Sequence, residues 1–169
     1  SENYAERLLK LQYSNGFFPA WLDVETQLSI KYLNDSPESS MSALFLLKLY
    51  DITHKSKYKH AALKTLDVII EKILPEGRWE DFETYWSCSR WGYEYLGEKI
   101  PRNNMFKQCN FSMFWTAEAF LTAYLITEDD YYIEFGKRVL DELLMTQSIW
   151  QPDYIYVKAF GGFGVMNAD

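Results

Sequence analysis

A chain of 169 residues, about half of it apolar and a quarter charged, can bury one substantial core but is short for two, so a single domain over 1–169 is expected. A net charge of −7 and a pI near 4.9 argue against nucleic acid or an anionic membrane as partner, because phosphates select clustered Lys and Arg. No apolar run reaches the roughly 20 residues that a spanning helix needs.

In chain order, residues 2–13 read as a first helix, followed by a long connection over 13–36. Ser36 and Pro37 supply an N-cap and a proline suited to the first helical position, and Ala43, Leu46, Leu47 and Tyr50 recur at helical spacing, which predicts a helix over 37–53. After the polar turn His54-Lys55-Ser56, the stripe Tyr58, Ala62, Leu66, Ile69 and Ile73 predicts a helix over 57–74, stopped by Pro75-Glu76-Gly77. A second long connection, 75–110, ends at Asn110, a candidate N-cap for a helix over 111–126. The turn Glu128-Asp129 and a helix over 130–146 follow, and 147–169 forms a third long connection.

The chain repeats. Ser42–Ile70 overlays Thr116–Leu144 without a gap, so that Tyr50 meets Tyr124, 74 positions on, and Tyr58, Leu66 and Asp67 meet Tyr132, Leu140 and Asp141. Leu8–Gln12 echoes Leu143–Gln147, as though residue 1 lay inside the second helix of an earlier repeat. Short turns make paired helices antiparallel, so the short turns belong at one end of the bundle and the long connections at the other. The long connections hold Trp21, Trp79, Trp86, Trp91 and Trp150, and Trp115 lies in the first turn of a helix leaving one of them. Loops this aromatic either fold back as packed caps or line a ligand groove.

Several motifs together resemble one architecture. They are Ala43-Leu44-Phe45-Leu46-Leu47 in the first helix of a pair, and Tyr58, Ala62 and Leu66 at four-residue steps, with Asp67 directly after, in the second. Gln12 also ends a helix ahead of Asn15-Gly16-Phe17-Phe18-Pro19-Ala20-Trp21, and Gly161-Gly162-Phe163-Gly164 sits near the C-terminus. This pattern is similar to the (α/α) toroids, which include six-hairpin glycosidases, helical polysaccharide lyases and terpenoid cyclases. The resemblance implies an all-α fold of antiparallel helical hairpins forming about half a barrel, either a fragment or one member of an assembly that closes the ring. It implies a carbohydrate-active domain acting on an oligo- or polysaccharide, secreted or periplasmic, with exposed hairpin flanks through which two copies would associate. The Asp-rich initiation motif of the cyclases is missing. The reading from another class is a non-catalytic helical repeat that binds glycan or protein on its aromatic face.

The densest stretch for chemistry is 77–91, which combines carboxylates, cations and three indoles. Sugars stack C–H faces on aromatic rings and offer hydroxyls to carboxylate and guanidinium groups, so Trp21, Trp79, Trp86, Arg90, Trp91 and Trp150 are the expected binding residues. A glycosidase needs two carboxylates about 5–5.5 Å or 6.5–9.5 Å apart. Asp81 and Glu83 are candidates for one, sharing a side if this segment is extended, and Asp23, Glu118 or Asp169 would supply the other. A lyase needs a base and a cation, for which Tyr85, Arg90 and Arg102 are available. The richer supply of carboxylates favours a hydrolase. Against these roles, the same carboxylates could cap helices or pair with Arg78 and Arg90. Tyr50, Tyr58, Tyr124 and Tyr132 read as packing, and Asp67 and Asp141 as a repeated structural hydrogen bond. Cys88 and Cys109 lack metal-type spacing, their pairing cannot be read from sequence, and neither metal nor cofactor is expected.

Overall fold

The computed structural model describes residues 1–30, 33–85 and 92–167. The fold is mostly helical. Helix α1 (Glu2–Leu11) precedes two antiparallel hairpins, α2 (Ser39–Thr53) with α3 (Ser56–Lys72), and α5 (Asn110–Thr127) with α6 (Asp130–Leu144), while a single turn, α4 (Phe82–Tyr85), interrupts the second long connection. Helices α2 and α5 pack side by side, each covered by its hairpin partner, and α1 lies against α2 and α3. Their shared core includes Ala43, Leu46, Leu47, Leu66, Ile69, Phe120 and Ala123, all fully buried. Among the described residues no helix is long and apolar enough to cross a membrane.

The internal repeat has a physical counterpart at both short turns. His54 and Glu128 occupy equivalent positions and both end their helix in the left-handed conformation, φ +55° and +56°, with the N–H donating to the Tyr50 or Tyr124 carbonyl at 2.7 Å. Between hairpins, the Tyr132 hydroxyl donates to Asp67 at 3.2 Å, and the Tyr58 hydroxyl donates to Glu6 on α1 at 2.7 Å. The registers that align Tyr58 with Tyr132 and Leu8 with Leu143 also align Glu6, Asp67 and Asp141. Glu6 on α1 and Asp67 on α3 therefore each accept from the tyrosine of the following helix in the outer row. The Gln echo works similarly, since Gln12 donates to the Gly16 carbonyl at 3.0 Å and Gln147 to the Gly161 carbonyl at 2.8 Å.

Two local expectations are revised. Helix α2 begins at Ser39, because residues 36–38 form a tighter turn in which Ser36 Oγ accepts the Glu38 N–H at 3.2 Å. Asn110 does not cap α5 with its side chain. It is the first helical residue, and its amide donates to the Gly164 carbonyl at 2.7 Å while its N–H donates to the Val165 carbonyl, which ties the C-terminal connection down.

The long connections satisfy their backbone groups with short antiparallel pairs that helical periodicity does not announce. β1 (Lys99–Ile100) pairs with β2 (Met105–Phe106), and β3 (Gln108–Cys109) pairs with β4 (Met166–Asn167).

Candidate functional site

Alternation of the helices brings the three long connections to one rim. Lys55, in the short turn, is paired with Glu2 at the start of α1 at 2.7 Å, so α1 points its C-terminal end, and the 13–36 connection, toward the opposite pole. There Ser36 Oγ donates to the Glu80 carbonyl, Glu38 accepts the Phe82 N–H at 3.3 Å, and the β3–β4 pair joins the second connection to the third. Trp21 packs edge-on against Phe82 and Tyr93, with ring centroids 5.2 and 5.0 Å apart.

The residues expected to act at this rim differ in access. Asp81 is buried, accepting Ser112 Oγ at 2.5 Å and both the N–H and hydroxyl of Thr84 at 3.2 Å. Burial raises its pKa, opposed by those hydrogen bonds. Glu83 is half-buried in α4. Because 82–85 is a helical turn rather than a strand, the shared side expected for Asp81 and Glu83 does not arise from local geometry. Tyr85 is buried and donates to Glu80; burial, then that carboxylate, drives its pKa far up. Glu80 is itself closed, with Arg78 Nε at 2.8 Å and the Gly97 N–H at 3.1 Å.

Trp79 is fully buried, its indole N–H donating to Glu142 at 2.7 Å, whereas Trp150 is 60% exposed. The suggested second carboxylates are apart from this group. Asp23 caps its own loop through Thr26 and Glu25, and Glu118 pairs with Lys48 at 2.7 Å. Trp86, Arg90, Trp91 and Asp169 lie outside the described residues, as does Cys88; Cys109 is buried. Among the described residues no group of three or more His, Cys, Asp or Glu side chains could hold a metal ion.

Sequence reasoning missed Glu38. It sits two residues after the Ser36 that ends the first long connection, on the wall of a cleft of about 420 Å³ between α1 and α2. Arg7, Gln27, Ser42 and Tyr4 line the same cleft over an apolar floor of Leu8, Leu11 and Phe18. Desolvation, then the neighbouring Asp81 charge, pushes the Glu38 carboxyl up to about 7; the Phe82 N–H opposes this and Glu83 adds to it. The signal was its place where a long connection enters a helix, but only folding reveals the carboxylates brought beside it.

No family model matches this sequence, and no curated protein matches it. The fold is similar to a solved structure named as a polysaccharide lyase, with a TM-score of 0.51 and 14% sequence identity over 86% of this chain. The chain spans about a fifth of that protein, 22% of its length. At this identity the likeness concerns architecture, and the chain has a lyase-like helical fold.

Proposed function

We propose that this chain is the helical part of a carbohydrate-active enzyme, an incomplete (α/α) toroid that cleaves an oligo- or polysaccharide along the rim of its long connections. The observation that carries this reading is the meeting at one pole of the aromatic group Trp21, Phe82 and Tyr93 with the carboxylates Glu38, Asp81 and Glu83. Rings offer stacking faces for sugars and carboxyl groups move protons, which are the two things glycan cleavage asks of a site. The lyase-like fold supports the same reading. Within it, Glu83 is assigned to acid–base work with Asp169, and Trp21, Trp86, Arg90, Trp91 and Trp150 to the sugar, while the expected roles of Asp81, Tyr85 and Trp79 in direct contact with substrate are withdrawn because all three are buried against protein partners.

A second reading is a non-catalytic module that binds glycan or protein through the same face. It is favoured by the enclosure of Asp81 and Tyr85, whose polar atoms are already committed to protein partners. Incubation with a polysaccharide panel separates the two. New reducing ends indicate hydrolysis, ultraviolet-absorbing unsaturated ends indicate elimination, and retention without either product supports the binding module. Absence of both binding and turnover removes the carbohydrate reading.

A further inference from the structure

The 74-residue repeat allows the two hairpins to be compared position by position. An apolar cleft opens on the flank of α5–α6, lined by Phe114, Leu121, Gly136 and Leu140 among others. Phe114, Leu121 and Leu140 are 51, 45 and 45% exposed, yet Ser40, Leu47 and Leu66, which stand 74 positions earlier, are fully buried, as is Ala62 in the place of Gly136. The difference lies in what is packed alongside. In the α2–α3 hairpin these places are closed, with α5 against both helices, whereas in α5–α6 they face open space.

Two polar series run in the same direction. Tyr58 of α3 donates to Glu6 of α1 at 2.7 Å, and Tyr132 of α6 to Asp67 of α3 at 3.2 Å, while Asp141, next in that register, is exposed on α6. At the rim, the Thr65 hydroxyl of α3 donates to the Gly16 carbonyl beyond α1, and Arg138 of α6 to the Leu74 carbonyl beyond α3, each at 2.8 Å. Gly161, beyond α6, is exposed and accepts Gln147 from its own connection. The chain is also placed for a further helix, because β4 (Met166–Asn167) pairs with β3 (Gln108–Cys109), the strand that leads directly into α5.

We infer that the α5–α6 flank seats a further helical hairpin of the same repeat, supplied from outside these 169 residues, whose second helix carries a tyrosine that donates to Asp141. Tyr58 and Tyr132 are both the third residue of their helix, which fixes where that tyrosine stands. A donor six or seven residues further on, the spacing of Arg138 and Thr65, meets the Gly161 connection. A second copy of this chain fits less well, since its tyrosines at that position are already bonded to Glu6 and Asp67. Cover of Leu121 and Leu140 supplies the attraction, and the tyrosine sets the register. The inference goes beyond the carbohydrate reading and needs no sugar, because it rests on the repeat alone.

The test extends the full chain after Asp169 with a copy of its own residues 110–146, the hairpin already fitted to a flank of this kind. Leu121→Cys in the original hairpin reports cover through its rate of reaction with a thiol reagent. That rate is expected to fall about 10-fold or more in the extended chain, relative to the same variant without the extension. Asp141→Asn should restore about 3- to 10-fold of the rate in the extended chain and change nothing in the unextended one. Phenylalanine in place of the copied tyrosine should do the same, with no further effect when the two changes are combined. A synthetic peptide of residues 110–146, added to the unextended chain, reads the same contact without altering the chain's own fold. It should protect position 121, and its Tyr132→Phe form should need about 3- to 10-fold more peptide for equal protection.

Unchanged reactivity at position 121 with both the extension and the peptide overturns the inference. Protection that is indifferent to Asp141→Asn and to the tyrosine change overturns the assigned register. Equal protection in the unextended chain on raising its own concentration makes a second copy the occupant and overturns the hairpin. None of these readouts involves a polysaccharide, so failure here leaves the carbohydrate reading standing, and failure of the polysaccharide panel leaves the hairpin standing.

Discussion

Glu38 shows how a single side chain couples the candidate site to stability. Its folded carboxyl titrates near 7, above the 4.5 of an unperturbed glutamate, so the native state binds the proton more tightly than the unfolded chain. The resulting stability is fully present below pH 4.5 and is lost as pH rises through 7. Urea denaturation should therefore show a decline across that window, and Glu38→Gln should flatten it. The variant should be more stable than wild type at pH 8 by about 1–3 kcal/mol. A stability curve with equal slope in both proteins would contradict the strained carboxyl. Gly16 is the opposite case, a residue fixed by geometry alone. Its φ is +104°, and a Cβ would stand 2.9 Å from the Lys64 carbonyl oxygen. Its own carbonyl accepts from Gln12 and from the Thr65 hydroxyl at 2.8 Å, so the loop cannot shift without cost. Gly16→Ala should cost about 1–3 kcal/mol in thermal or chemical unfolding.

Between elements, the tyrosine-to-carboxylate bond joins each outer-row helix to the one before it. Tyr132 sits in the first turn of α6 and reaches Asp67 on α3, and burial together with that carboxylate raises its pKa. Tyr132→Phe should cost about 1 kcal/mol, and Tyr58→Phe a similar amount through Glu6, with the two losses additive because the bonds are separate. The second connection is pinned differently. Trp79 fills the core beneath it and donates to Glu142 of α6, so Trp79→Ala should cost about 3–5 kcal/mol, and Trp79→Phe less, since a six-membered ring stays in the core while the hydrogen bond to Glu142 is lost. Lys107, also buried, donates to the carbonyls of Tyr95 and Glu98 and holds the 93–99 segment against the same connection. These anchors explain how a stretch with little regular structure keeps its position at the rim.

At the scale of the molecule, the α5–α6 hairpin leaves an apolar flank. Phe114, Leu121, Ile133 and Leu140 line a cleft of about 420 Å³ there, and Phe114, Leu121 and Leu140 are each close to half exposed. Asp141, the third position in the tyrosine–carboxylate series, is exposed on α6. Exposed apolar surface of this kind favours association. Sedimentation should show mass rising with concentration, and Leu121→Lys with Leu140→Lys should abolish the rise while leaving the helical circular dichroism unchanged. A monomer at every concentration would rule out the flank as a self-association surface.

Helical character and hairpin pairing were determined by the sequence itself, because the 3.6-residue spacing of Ala43, Leu46, Leu47 and Tyr50, and its recurrence 74 positions later, are local properties that survive without knowledge of neighbours. The same alternation foretold a rim of long connections, since short turns leave antiparallel helices no other choice. What only the tertiary structure decided was which rim side chains face solvent and which are spent on packing. Asp81, Tyr85 and Trp79 look alike to Glu83 and Trp150 in sequence, yet the first three are buried with protein partners, Ser112 and Glu142 on distant helices for Asp81 and Trp79, and Glu80 in the same connection for Tyr85. Glu38 became chemically distinct for the same reason: a carboxyl's proton affinity is set by the burial and charges around it, and those arrive from residues more than forty positions away.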